Sequence, residues 1–314
     1  MADPDTRPLA VVTGASSGIG YELASLFSEA GYDLVVAAED PGITTAATMF
    51  SQQGVIAEAV QADLATYDGV EELYAALRGR VPAAVAINAG IGVHGDFARD
   101  TDLAADLRLI DLNVRSTVHL AKRVLQDMVP RNSGRLLFTS SIAARMPGPY
   151  EASYAASKAF ILSFAAAIRY ELRDTGITVT VLMPGPTDTN FFERAGMDDT
   201  KLGAMEDKDD PRDVAREGLL AMMAGENQVV AGSRRNKLHA AAGKLLPETV
   251  SARMHGQISQ PGSASLAGPR AGARCGLHRC HATTSPARSR LSRAAPADSG
   301  SSSPASSAGT GAGW

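Results

Sequence analysis

Cysteine is almost missing from this sequence, and the two that occur, Cys275 and Cys280, fall outside the part that reads as a folded domain. With His278 and His281 they form a C-x₄-C-H run that matches no structural zinc spacing, so no metal site is expected. Also missing is any apolar run near the ~18 residues needed to cross a bilayer. Residues 1–7 are short, polar and lean acidic, unlike a secretory signal, and the expectation is a soluble cytoplasmic protein. Large apolar residues thin out from about Pro261, where Ala, Ser, Gly, Pro and Arg dominate. Such a composition cannot offset chain entropy, so residues 263–314 read as a disordered tail. The tail holds six arginines and one acid, Asp298, for a formal +5 against −4 for the whole chain, so the preceding part carries −9. A basic, serine-rich tail on an acidic domain invites a nucleic-acid or partner-binding reading. The tail has no lysine, no repeat and no aromatic before Trp314, so nucleic acid is not expected, and an extension without function is the plainer reading.

What is present is alternation. Leu9 to Val12, Leu34 to Ala38, Val55 to Val60, Ala83 to Ile87, Arg135 to Thr139, Thr178 to Leu182 and Gln228 to Ala231 are short apolar runs of the kind that form buried parallel strands. Helical stretches lie between them, including Tyr21 to Ala30, Tyr67 to Arg80, Leu103 to Met128 and Ser153 to Asp174. Strand and helix alternating at this length predict an α/β fold, a Rossmann-like doubly wound parallel sheet of about seven strands. With 314 residues and 45% apolar content, one large domain is affordable. Residues 1–8 read as a short arm and 9–262 as that domain.

Two segments carry chemistry. After the first strand comes Thr13-Gly14-Ala15-Ser16-Ser17-Gly18-Ile19-Gly20, a G-x-x-x-G-x-G turn leading into a helix. Strand, glycine turn and helix aim backbone N–H groups and a helix N-terminus at a phosphate; the alternative is a glycine-rich turn with no ligand. Further on, Tyr154 and Lys158 are four residues apart in helix-forming sequence, which puts them on one face, one turn apart. An ammonium beside a phenol favours the phenolate, and a Tyr so shifted can exchange a proton with an alcohol or carbonyl oxygen.

Together with Ala62-Asp63-Leu64, Asn88-Ala89-Gly90, Asn113, Ser140-Ser141, and Pro184-Gly185 followed by Thr187 and Thr189, these residues resemble the short-chain dehydrogenase/reductase family in its single-domain form. The resemblance runs from about Leu9 to about Gly262, with Ser141 thirteen residues before Tyr154 as is common in the family. One departure is Ile87, where the family often has an Asn. The resemblance implies hydride transfer between NAD(H) or NADP(H) and a carbonyl or secondary alcohol. It implies Tyr154 as acid and base, Lys158 lowering the Tyr154 pKa and binding the nicotinamide ribose, Ser141 donating to the substrate oxygen, and Asn113 holding a relay water. Gly14, Ser16, Ser17, Gly18, Ile19, Gly20, Glu39, Asp63, Leu64, Asn88, Ala89, Gly90, Pro184, Gly185, Thr187 and Thr189 are implied to bind cofactor with Tyr154 and Lys158. Asn88 is the residue credited with holding the sheet together. Asp63 and Ser140 each have a plainer alternative, capping a strand end.

Ala38 stands where NAD-users often carry an acid, and Glu39 stands at the next position, often Arg in NADP-users. A carboxylate there disfavours a 2′-phosphate, which points to NAD. Residues 189–208 resemble the family's substrate lid, with Phe191, Phe192, Met197 and Met205 as an apolar inner face, although ordinary packing explains them too. Met146 to Tyr150 and Ile91 to Phe97 are expected to complete the pocket. A homodimer or homotetramer is expected, with Ala155, Ala159, Ala165 and Ala166 letting helices approach. Two rival readings are a nucleotide-binding regulator and a dehydratase or epimerase of the same fold. The first would lack Tyr154 or Lys158, and the second usually carries a G-x-x-G-x-x-G turn and a longer C-terminal domain.

Overall fold

A computed structural model describes residues 7–233 and 247–266. The tail expected over 263–314 lies outside the described residues from 267 onward, as do most of the N-terminal arm and the two cysteines. The described chain builds a seven-stranded sheet in which every neighbouring pair is parallel. The strands are β1 (Leu9–Thr13), β2 (Asp33–Ala38), β3 (Ala57–Gln61), β4 (Ala84–Ile87), β5 (Gly134–Thr139), β6 (Ile177–Pro184) and β7 (Gln228–Ala231), in spatial order β3-β2-β1-β4-β5-β6-β7. This is the expected doubly wound fold.

Burial on both faces explains the uninterrupted apolar strands. Successive side chains of a strand point to opposite faces. Val11, Val35, Ala37 and Val85 therefore pack with α3 (Tyr67–Ala75), α5 (Ser116–Arg131) and α6 (Ala152–Glu171). Ala10, Val12, Leu34 and Val36 pack on the other face with α1 (Gly18–Glu29), α2 (Gly42–Ser51) and α8 (Pro211–Ala224). The order reverses at β1, which pairs with β2 on one side and β4 on the other. In open sheets of this kind the crevice at such a reversal, beyond the strand carboxyl ends, is where ligands bind.

Leu103 to Met128, read above as one helix, is interrupted. Helix α4 (Leu103–Ile110) passes through a π-helical turn, Asp111–Arg115, before α5 begins. The hydroxyls of Ser116 and Thr117 donate to the carbonyls of Leu112 and Asn113, at 2.5 and 2.8 Å, so carbonyls released by the wider turn find partners. Two short elements complete the domain: α7 (Phe191–Arg194) in the segment expected as a lid, and α9 (Glu248–Ser259) near the end of the described chain. A 3-10 turn follows at Ser263–Leu266, where the buried Ser263 accepts a hydrogen bond from Lys201 N at 2.9 Å.

Candidate active site

The carboxyl ends of β1, β4 and β5 are stitched together by Asn88. Its Nδ2 donates to Thr13 O at 3.2 Å, and its Oδ1 accepts from Thr139 Oγ1 at 3.0 Å. Thr13 Oγ1 in turn accepts from the N–H groups of Asn88 and Ala89, at 2.9 and 3.0 Å. The glycine turn lies against this knot. A Cβ on Gly20 would stand 2.1 Å from Gly14 O and 2.5 Å from Asn88 Nδ2, so only a hydrogen fits there. Gly18 has φ +57°, a conformation L side chains resist, and closes against Thr189 Cγ2. Ser17 caps α1 without a side-chain bond, which leaves first-turn N–H groups available to an anion.

From this turn a cavity of about 630 Å³ runs to the start of α6. Every residue expected to touch cofactor lines it except Gly20, which is buried beneath the turn. Tyr154, Lys158 and Ser141 line it as well, whereas Asn113 is fully buried behind the wall. The volume, the glycine approach and the open helix N-terminus suit an extended nucleotide carrying phosphates.

Tyr154 and Lys158 share one face of α6, with Lys158 Nζ 5.7 Å from the Tyr154 ring centroid. Lys158 is buried and donates to Thr139 O at 3.0 Å. Burial pulls its pKa down to about 8. The Tyr154 phenol moves opposite to the expectation. Burial pushes it up, the charge of Glu151 pushes the same way, and the Ser141 hydroxyl hydrogen-bonding it lowers it only in part. Lys158 donates to Thr139 O rather than to the phenol, and with its pKa near 8 it has lost its charge before the raised phenol titrates, so it does not reverse the shift.

Asn113 is held from three sides. Its Nδ2 donates to Ile91 O at 2.9 Å and Ser157 Oγ at 3.1 Å, and its Oδ1 accepts from Ile91 N at 3.0 Å. Asn113 Oδ1 and Lys158 Nζ lie 3.1 and 3.2 Å from the place a Gly90 Cβ would occupy, so both border the same small gap. Ser140 serves the frame: it is buried and donates to Lys158 O at 2.8 Å, tying β5 to the helix that carries the lysine.

At the far end of the cavity Arg108 of α4, not anticipated from sequence, grips Asp63 through two bonds of 2.9 and 3.2 Å and Glu39 through one of 2.8 Å. Burial works to raise the Asp63 carboxyl, but the bonds from Arg108 and Ala65 N together with the Arg108 charge hold it below its ordinary value. Asp63 also caps the end of β3, accepting from Ala65 N at 3.0 Å and, through its carbonyl, from Thr66 Oγ1 at 2.8 Å.

The other wall is largely apolar. Phe191 packs its ring 5.2 Å from that of Tyr154, and Phe192 and Met205 line the cavity. Met197 departs from the expectation, being buried in a small core within the lid segment with Phe192 and Ala195. Of the two loops expected to complete the pocket, Ile91 and Met146 line it, while Phe97 is exposed. Helix α9 contributes Ser251, Met254, His255 and Ile258, none of them anticipated. It is anchored by His94 Nε2 on Ser259 O at 2.5 Å and by Leu202 N on Ile258 O at 3.2 Å. Glu151, three residues before Tyr154, was within reach of motif reading; His255 had no local signal.

Comparison with known proteins gives one consistent answer. Residues 8–199 match the family described as short chain dehydrogenase. Sulfoacetaldehyde reductase 2 of Chromohalobacter salexigens is 32% identical over 203 residues, which is 63% of this chain and 80% of that protein. A short-chain dehydrogenase from Sphingobium yanoikuyae in complex with NADPH superposes with a TM-score of 0.66 at 28% identity, covering 76% of this chain and 94% of that one. The bulky-bulky ketone specific alcohol dehydrogenase from Comamonas testosteroni gives 0.64 at 26% identity, over 76% and 93%.

Proposed function

The chain belongs to the short-chain dehydrogenase/reductase family and is a nicotinamide-dependent oxidoreductase of alcohol and carbonyl groups, and we propose from that premise how its own residues do the work. When bound, the nicotinamide supplies or accepts the hydride. Tyr154 gives the proton to the substrate oxygen in reduction and takes it in oxidation. Ser141 donates to the same oxygen and steadies charge as it develops. Lys158, with a pKa near 8, holds a proton that is readily lost at neutral to mildly basic pH, and Asn113 borders the gap beside it. A proton leaving Tyr154 is replaced through that gap. The juxtaposition of Tyr154, Ser141 and Lys158 in one cavity with the glycine turn is the observation that carries this reading.

For cofactor choice the proposal is NAD. Arg108 holds Glu39 and Asp63 at the rim, a trio with one net negative charge, which disfavours a phosphate of charge near −2. Assembly as a dimer or tetramer is proposed through α4 to α6, where Leu103, Leu107, Phe160 and Tyr170 are exposed. Ala159 and Ala166 are exposed there too, whereas Ala155 and Ala165 are buried within their own subunit.

The test is a titration with NADH and NADPH followed by a ketone screen, with Tyr154→Phe alongside wild type. The expected outcome is nucleotide binding by both and a rate loss of about 10²- to 10⁴-fold in the variant. A folded protein that binds neither nucleotide, or a variant as fast as wild type, overturns the reading.

A further inference from the structure

Glu151 and His255 form a pair that the proton-transfer chemistry above leaves unused. The two come together from positions 104 residues apart, Glu151 at the start of α6 and His255 in the middle of α9. His255 Nε2 and Glu151 Oε2 are 2.8 Å apart, and the residues are only 6% and 4% exposed. Burying such a pair is costly unless the remaining polar positions are satisfied. Among the described residues, the only hydrogen bond either side chain makes is to the other. The second carboxylate oxygen of Glu151 and Nδ1 of His255 are not among the fully enclosed unpaired atoms, which are Arg145 Nε, Thr178 Oγ1 and Ser259 Oγ. Both residues line the cavity. The unused positions therefore face open volume in a largely apolar wall that includes Met146, Met254, Ile258 and Phe191, with Ser251 one turn from His255.

We propose that Glu151 and His255 are a specificity site for a hydroxyl group on an otherwise apolar, uncharged ketone or alcohol, remote from the carbon that reacts at Tyr154. The proposal rests on the oxidoreductase reading and names its substrate class. A carboxylate bound to a ring nitrogen can only accept, so Nε2 carries the hydrogen and, in the neutral ring, Nδ1 accepts as well. The free carboxylate oxygen is an acceptor facing the cavity, and it calls for a donor. A carbonyl there finds no partner, and an acidic group meets a like charge. Glu151 is the residue that precedes α6, three positions before Tyr154, so the hydroxyl it takes is a separate group from the carbonyl bound at Tyr154.

The probes are 4-hydroxycyclohexanone and 4-methylcyclohexanone, equal in size and differing at the remote position. Wild type is expected to favour the hydroxy ketone in kcat/KM by at least about tenfold, as sites built for a substrate hydroxyl do. The double variant Glu151→Met/His255→Leu replaces the pair with apolar side chains, a change buried pairs often tolerate in stability; in it the preference falls to unity or inverts. Glu151→Gln is the second variant and reduces the ratio. Because the readout is a ratio within each protein, a general loss of activity cancels. A pair that only fastens α9 to α6 lowers both rates together, and an unchanged ratio in the variants overturns the proposal. A flat ratio in active wild type overturns it too and leaves the oxidoreductase reading standing. If neither ketone is turned over, the corresponding alcohols are compared by thermal shift with NAD⁺ present, and equal shifts in wild type overturn the proposal. Failure to bind any nicotinamide nucleotide is instead the failure of the underlying reading.

Discussion

Replacing Lys158 with Met should make the protein more stable at neutral pH while abolishing its chemistry. Lys158 is buried, and its pKa is depressed from 10.5 to about 8. The unfolded chain keeps the proton until pH ~10.5, whereas the folded chain releases it near pH 8. Between those values the unfolded state binds more protons, so stability rises with pH. At about 1.4 kcal/mol per pKa unit, the charged lysine costs the folded state about 3 kcal/mol at pH 7. Methionine removes that cost and loses the bond to Thr139 O, a net loss of about 1 kcal/mol. The variant is therefore expected to be more stable by about 2 kcal/mol at pH 7, with the difference shrinking to about zero by pH 10. The raised phenol of Tyr154 stabilises the fold below its ordinary pKa and loses that effect above it, but it is present in both proteins and cancels. Urea unfolding followed by far-UV circular dichroism at the two pH values measures this, with equal m-values required. A difference that is the same at pH 7 and pH 10, or a variant less stable than wild type at pH 7, refutes the account of Lys158 as a desolvated ammonium.

Glu39→Ala should weaken discrimination against NADPH, since it removes one carboxylate and frees Arg108 on that side; the ratio of NADPH to NADH dissociation constants should fall by about tenfold, and an unchanged ratio would sink the NAD assignment. Asn88→Ala removes the partners of Thr13 O and Thr139 Oγ1 at the sheet ends, and at about 1–3 kcal/mol per buried group left unpaired should cost roughly 2–6 kcal/mol in the same unfolding assay.

The sheet was legible because its inner strands are buried on both faces and so appear as unbroken apolar runs; the edge strand Gln228–Ala231, only partly buried, was still found to the residue. The interruption at Asp111–Arg115 was not legible, since a π turn depends on hydroxyls one turn later finding carbonyls, which periodicity does not record. The site was legible where its residues are close in sequence, as Tyr154 and Lys158 are. Contacts made by folding stayed hidden. Arg108 sits 45 residues from Asp63 and 69 from Glu39, and nothing in the pattern of α4 distinguishes it from a solvated arginine. Helix α9 escaped because its inner face is made of Ser251, His255 and Ser259, residues that carry no apolar stripe. The direction of the Tyr154 shift was missed for a similar reason, since the burial and the Glu151 charge that set it belong to the folded cavity.

The position of α9 also bears on how the protein is made and how it could diversify. All seven strands and the glycine turn precede residue 232, while α9 begins at Glu248. At about 5–20 residues per second the ribosome completes the nucleotide-facing half a few seconds before it delivers this last wall. The helix adds no strand to the sheet and is fastened mainly by side-chain and terminal contacts, through Glu151, His94 and Leu202. A change confined to this last part of the chain therefore alters the α9 wall of the cavity and leaves the sheet and the glycine turn untouched.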